Sequence, residues 1–237
     1  NTELEKRRTL DKGDVETIVS TYKDNTFLPL GLVEEIEYLQ QTDPEFWKIY
    51  GLGEYGNITG LIYENNNIVN SIPDNAKRVA TGLDFGFTND PTACIEVYRH
   101  DKDLYLKEII YETGLTNDDI ANRLKSFGYT MQDEVICDSA EPKSIEELYR
   151  QRINAKPTKK GKDSINNGID VLKRYNINVL NTSTNLRKEF RSYKWATDKT
   201  GNSVGKPIDK FNHGMDAVRY AAIIHLAHRN TGIYSII

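Results

Sequence analysis

The sequence is 237 residues long and 38% hydrophobic, with 31 Lys+Arg against 35 Asp+Glu and a formal net charge of −4. That length and apolar content suffice for one large domain, or a smaller one with an appendage, and exclude wholesale disorder. No apolar run reaches the roughly 18 residues of a membrane span, and residues 1–8 are charged without the apolar centre of a signal peptide, so a cytosolic chain is expected.

The charge is uneven. Residues 143–199 hold 14 Lys+Arg against 6 Asp+Glu, and the rest 17 against 29. A basic middle between acidic flanks suits one face to a phosphate backbone, the plainer reading being a lysine-rich solvated surface. Cys94 and Cys137 fall within predicted strands and lack CxxC spacing. They read as buried, reduced core residues rather than a disulfide or a zinc site.

Residues 1–75 form a distinct segment. A strand is expected over 17–22, a turn at 23–25, a helix over 32–39, a short helix at 44–50, and a Gly- and Asn-rich linker or surface loop over 51–70. From Arg78 the pattern changes, and residues 76–237 read as one domain. Strand-like runs at 78–85, 92–99 and 104–111 make a meander, with a turn between the second and third. Thr116-Asn-Asp-Asp119 opens a helix carrying Ile120, Leu124 and Phe127. A fourth strand covers 134–138. Ser144 caps a helix with Ile145, Leu148 and Ile153, and a short strand follows near 153–156. Beyond a basic loop at 159–162 comes a helix with Ile165, Ile169, Leu172 and Tyr175 on one face, then a strand at 177–180. Polar strand-like runs at 190–196 and 203–208 make an inserted β-hairpin, and a last helix runs over 214–227. The order predicts an α/β fold with a mixed sheet flanked by helices.

Three aspartates carry the chemistry. Asp84 ends Val79-Ala-Thr-Gly-Leu-Asp-Phe-Gly86, Asp138 closes Glu134-Val-Ile-Cys-Asp-Ser139, and Asp216 stands in Asn212-His-Gly-Met-Asp-Ala-Val-Arg-Tyr220. Two strand-end carboxylates facing a helix-borne one form a cage of hard oxygens suited to Mg²⁺ or Mn²⁺, and a pair of such ions drives in-line phosphoryl chemistry. Singly, each Asp is an ordinary turn or helix-cap residue. Together they repel, and a divalent cation is the natural compensation. His213, close to one helical turn before Asp216, reads as a proton shuttle, a phosphate contact or a plain cap. Lys143 is placed to reach a phosphate or to pair with the acidic site. Glu141 and Asp90 read as outer carboxylates or as loop residues. Lys159, Lys160, Lys162, Arg187, Lys188, Arg191 and Lys194 are candidate DNA phosphate contacts. Asp84-Phe-Gly86 also matches the kinase metal-binding triplet, but no glycine-rich or His-Arg-Asp loop accompanies it.

Gly82-Leu-Asp-Phe-Gly-Phe87 with Asn89-Asp-Pro-Thr-Ala93, Ile136-Cys-Asp-Ser-Ala-Glu-Pro-Lys143 and His213-Gly-Met-Asp-Ala-Val-Arg-Tyr220 together resemble the C-terminal nuclease domain of the large terminase subunit of tailed bacteriophages. Ser20-Thr-Tyr-Lys-Asp-Asn25, Phe27-Leu-Pro29 and Gly51-Leu-Gly-Glu-Tyr-Gly56 are similar to the segment joining that family's ATPase and nuclease domains. The resemblance spans about 14–227. It implies a ribonuclease H-like fold in which the first and fourth strands of the domain lie side by side, bringing Asp84 to Asp138. It implies a two-metal endonuclease, with Mg²⁺ or Mn²⁺ held by Asp84, Asp138 and Asp216 and with His213 beside them. The implied substrate is concatemeric double-stranded viral DNA, cut during genome packaging. The implied partners are the ATPase domain of the same protein, the small terminase subunit and the procapsid portal, in the host cytoplasm. The GxxxxGK[ST] phosphate loop is absent, so residues 1–75 are expected to be the tail of a missing ATPase domain. The rival readings are a resolvase- or transposase-like nuclease on the same fold and a non-catalytic DNA-docking module.

Overall fold

The computed structural model describes residues 20–42, 44–54, 60–159, 161, 163–198 and 202–227. The chain divides into two compact units, Asn1–Ile58 and Thr59–Ile237. In the first, Tyr22–Asp24 is a 3-10 turn, falling largely on the turn expected at 23–25 and taking only Tyr22 from the strand expected over 17–22. The Thr21 backbone N–H and hydroxyl both donate to the Asp24 carboxylate, a capping box that closes this turn. Residues 17–19 of that expected strand lie outside the described residues. Helix α1 (Leu30–Thr42) follows, and Pro44–Phe46 runs on into a π-turn at Trp47–Gly51.

The second unit is built on one seven-stranded sheet. Its strands are β1 (Asn66–Val69), β2 (Lys77–Asp84), β3 (Thr92–His100), β4 (Asp103–Glu112), β5 (Glu134–Cys137), β6 (Asn154–Pro157) and β7 (Asn176–Leu180), in spatial order β1-β7-β4-β3-β2-β5-β6. The meander β2–β3–β4 is antiparallel, and the other four pairings are parallel. Helices α2 (Asn117–Ser126) and α3 (Pro142–Arg150) share one buried cluster with Leu83, Cys94, Val135 and Cys137. Helices α4 (Ser164–Leu172), α5 (Thr184–Ser192) and α6 (His213–His225) share the other with Ile95, Val97, Leu106 and Val179. This is the mixed α/β sheet, flanked by helices, that the pattern of elements predicts. Strands β8 (Trp195–Thr197) and β9 (Ser203–Pro207) form the separate hairpin. Cys94 and Cys137 are buried free thiols, each in register with Leu83. Among the described residues, no helix is long and apolar enough to cross a membrane.

Three local expectations are corrected. The supposed linker contains β1, an edge strand running parallel to β7 from Asn66↔Ile177 to Val69↔Leu180. An edge strand needs main-chain groups more than apolar side chains, so Asn-rich sequence suffices. The run from Phe190 begins inside α5, not in a strand: Leu186, Glu189 and Phe190 are buried at helical spacing, whereas the sequence shows alternation only beyond them. Helix α3 starts at Pro142, whose missing N–H costs nothing in a first turn, and it ends before Ile153.

Candidate active site

The site begins with strand register. Strands β2 and β5 are parallel neighbours with Leu83 opposite Cys137, so the next residues, Asp84 and Asp138, leave the same sheet edge side by side. Helix α6 then lies directly on β2. A Cβ at Gly82 would sit 1.8 Å from the Ala217 carbonyl oxygen, so glycine is what permits this approach. The helix thereby carries three side chains to the strand ends.

The Tyr220 hydroxyl stands 3.2 Å from Asp84 Oδ1 and 3.3 Å from Asp138 Oδ2, and its single proton serves one carboxylate at a time. Burial, then the charges of Asp84 and Asp216, pushes its phenol well above the usual range, so it is a donor at any working pH. His213 Nδ1 is 3.1 Å from Asp84 Oδ2, and Nε2 is 3.6 Å from Asp90 Oδ1. Asp216 Oδ1 accepts from the Arg219 guanidinium, 2.8 Å from Nη2 and 3.3 Å from Nε. Asp216 also feels the negative charge of Asp84.

The structure therefore brings Asp84 and Asp138 to the Tyr220 hydroxyl, sets His213 on the other oxygen of Asp84, and holds Asp216 against Arg219. Among the described residues, no three carboxylate, imidazole or thiolate groups close into a metal cage as they stand. The tight three-aspartate cage of the sequence reading is looser here, because the Tyr220 hydroxyl and the Arg219 guanidinium take up carboxylate oxygens. Asp84 and Asp138 still offer hard oxygens on either side of the Tyr220 hydroxyl, donors of a kind that fits Mg²⁺ or Mn²⁺ and does not suit a soft metal.

The basic candidates are scattered. Lys143 is on α3, exposed, with its ammonium 3.8 Å from Glu147 rather than on the acidic site. Lys159 follows β6 and lines an open pocket with Ser139, next to Asp138. Lys188 and Arg191 are exposed on α5, while the Arg187 guanidinium donates to the Asn181 carbonyl at 2.8 Å. Lys194 is half-buried, in a bridge with Leu61. Lys160 and Lys162 lie outside the described residues. Glu141 is the residue before α3, and its carboxylate is 3.4 Å from the Ser144 hydroxyl.

Three functional-looking residues have no role in the sequence reading. Tyr220 and Arg219 lie four and three positions after Asp216, a helical spacing that was there to be read. Glu189 gave no such signal. It is buried on α5, and its carboxylate accepts from the Tyr111 hydroxyl and from the Gly214 and Met215 N–H groups.

Three of these groups titrate in the same direction. Burial pushes the Glu189 carboxyl up to about 7 against its three donors. Burial, with Asp84 and Asp209, pushes Asp216 up to about 6 against Arg219. His213 is pulled down by burial, but the Asp84 hydrogen bond and charge outweigh this and raise it. Each folded-state value lies above its unfolded one, so the native state binds the extra protons and stability falls as pH rises through these values. The chelator-treated protein is expected to melt at a lower temperature at pH 8 than at pH 5.5. A melting curve rising with pH across that window would contradict it.

The fold agrees with comparisons to known proteins. The model of the family described as "Terminase RNAseH like domain" matches residues 84–223, more than half of the chain. The chain belongs to this terminase family. A second model, "Phage terminase large subunit", matches residues 2–54. The terminase large subunit of Bacillus phage SPP1 is 31% identical over 217 residues, which cover 85% of this chain and 50% of that protein. The PBSX phage terminase large subunit of Bacillus subtilis (strain 168) is 29% identical over 232 residues, 93% of this chain and 53% of that one. The chain thus spans about half the length of these relatives. Among solved structures, the nuclease domain of the SPP1 large terminase, g2p, with bound Mn, superposes with a TM-score of 0.61 at 28% identity, covering 69% of this chain and 97% of that one. The second unit accordingly has the ribonuclease H-like fold of large-terminase nuclease domains.

Proposed function

We propose that this terminase chain is a divalent-metal-dependent endonuclease that cuts concatemeric double-stranded viral DNA during genome packaging. The observation that carries the reading is the convergence of Asp84 and Asp138 on the Tyr220 hydroxyl, with His213 on the far oxygen of Asp84. Asp84, Asp138 and Asp216 would hold Mg²⁺ or Mn²⁺, two ions in the fullest form. Bound cations would supply Lewis-acid stabilisation of the charge that builds on the attacked phosphoryl group. Tyr220 keeps the two strand-end carboxylates apart and oriented. His213, fixed through Nδ1 by Asp84, is placed to hold or move a proton at Nε2. Arg219 orients Asp216 and neutralises part of the local negative charge. Lys159, Lys188 and Arg191, with the other basic candidates, would bind the DNA backbone without reading bases, so sequence preference is expected to be weak.

Residues 1–75 are proposed to belong with an ATPase motor, a reading supported by the family match over 2–54. The same reading assigns the small terminase subunit and the procapsid portal as partners, in the host cytoplasm.

The deciding experiment is plasmid cleavage by the purified chain. Nicking and linearisation are expected with Mn²⁺ or Mg²⁺ and none in excess EDTA. Full activity in EDTA would sink the metal-dependent reading, and tight DNA binding without cleavage under any metal would favour a docking module. A Lys159→Ala, Lys188→Ala, Arg191→Ala triple variant is expected to flatten the salt dependence of DNA affinity by roughly 0.9 in log–log slope per lost phosphate contact. An unchanged slope would move the DNA path elsewhere.

A further inference from the structure

We infer that Glu189 is a positioning residue, clamping the first turn of α6 so that His213 and Asp216 keep their places beside Asp84; this rests on the nuclease reading above. Glu189 is 1% exposed, on a helix whose other buried residues are Leu186, Phe190 and Ser192. A carboxylate at such a place is costly unless its oxygens are occupied. They are: Oε1 accepts from the Tyr111 hydroxyl at 2.7 Å and the Gly214 N–H at 3.1 Å, and Oε2 accepts from the Met215 N–H at 2.8 Å.

The two amides belong to the first turn of α6, where a helix leaves its N–H groups without intrahelical partners. The N-cap residue, Asn212, makes no side-chain cap bond there. Glu189 therefore caps α6 from another helix, its acceptor oxygens set at the positive end of the helix dipole. The amides it holds lie between His213 and Asp216. Rotating or fraying that turn would move His213 off Asp84 and Asp216 off Arg219 together.

The arrangement also explains a residue of the His-Gly-Met-Asp motif. A Cβ at position 214 would lie 2.9 Å from Glu189 Oε2 and 2.9 Å from Leu186 Cδ1, so Gly214 leaves room for the clamp. The same device recurs one element upstream. Glu108 on β4 accepts from the Leu186 main-chain N–H at 2.7 Å and from the Asn185 side-chain Nδ2 at 2.9 Å, in the first turn of α5. The sheet thus fixes α5, and α5 fixes α6.

The test compares wild type, Glu189→Gln and Tyr111→Phe in the full chain. Glutamine keeps the shape but turns an NH₂ toward a donor. Hydrogen exchange of the Gly214 and Met215 amides is expected to quicken by about tenfold or more in Glu189→Gln. Amides of β3 should exchange as in wild type. On plasmid DNA with Mn²⁺, kcat should fall roughly 10–100-fold with KM unchanged, the size of an outer-partner loss. Tyr111→Phe keeps both amide bonds and should show the same pattern with smaller amplitude. Mn²⁺ affinity by calorimetry should weaken in step with kcat. Unchanged exchange at 214 and 215, or a KM rise with kcat preserved, overturns the inference. If Glu189→Gln does not fold, Tyr111→Phe decides alone by the same two readouts. If wild type shows no cleavage at all, the nuclease reading fails, while exchange and Mn²⁺ affinity still judge the clamp.

Discussion

Replacing Asp138 with Asn is expected to abolish plasmid cleavage in Mn²⁺, a loss well beyond the roughly 10–100-fold that follows from removing an outer partner of a metal ligand. The fold should survive. Asp138 accepts from the Tyr220 hydroxyl at 3.3 Å and from the Ala140 N–H at 2.8 Å, and Asn keeps an oxygen for one of them. Removing one of several neighbouring negative charges also relieves their repulsion, so the metal-free variant should melt no lower than wild type. Added Mn²⁺ should raise the wild-type melting temperature through binding and leave the variant unmoved. A variant that cuts at the wild-type rate, or that is unfolded by circular dichroism, would refute this.

The largest effect on stability is expected from Gly82→Ala. The new methyl would lie 1.8 Å from the Ala217 carbonyl oxygen and 2.5 Å from its carbon, and neither is a side-chain end that can swing aside. Helix α6 must move off β2. Overpacking of this kind costs about 3 kcal/mol, near the upper end of its usual range, which lowers the melting temperature of a chain this size by about 6–12 °C. Cleavage measured well below the melting range should fall too, because Asp216 and Tyr220 travel with the helix. An unchanged melting temperature would show that α6 does not rest on Gly82.

Much of this was legible in the residues. The β-rich runs of β2, β3 and β4 and the Thr116–Asp119 capping box announced their elements, and the capping box forms with the Thr116 hydroxyl 2.6 Å from Asp119 Oδ2. The meeting of Asp84 and Asp138 at one sheet edge followed from the fold resemblance, and the register of Leu83 with Cys137 realises it. Other features were hidden for physical reasons. Helix α5 is mostly polar outside its buried face, so its periodicity was masked by the alternating residues that follow it. With the helix went Glu189, whose partners are main-chain amides that no side-chain pattern encodes. Strand β1 is held by backbone pairing and by Asn67 donating to the Asn178 side chain at 3.3 Å, contacts that leave no apolar trace. That Tyr220 touches both strand-end aspartates depends on how closely α6 approaches β2, a distance set by one absent methyl group.

The close seat of α6 on β2 also sets when the site can come into being. Tyr220 reaches Asp84 across 136 positions of sequence and Asp138 across 82, and His213 reaches Asp84 across 129. Loops of that span close slowly, and a chain leaving the ribosome presents its parts in order. Strands β2 and β5 can pair early, placing two bare carboxylates at a sheet edge. The phenol that separates them, the imidazole and the third carboxylate all arrive on α6. On the nuclease reading, hydrolytic capability then waits for α6, and a nascent polypeptide stopped before that helix cannot cut the DNA around it.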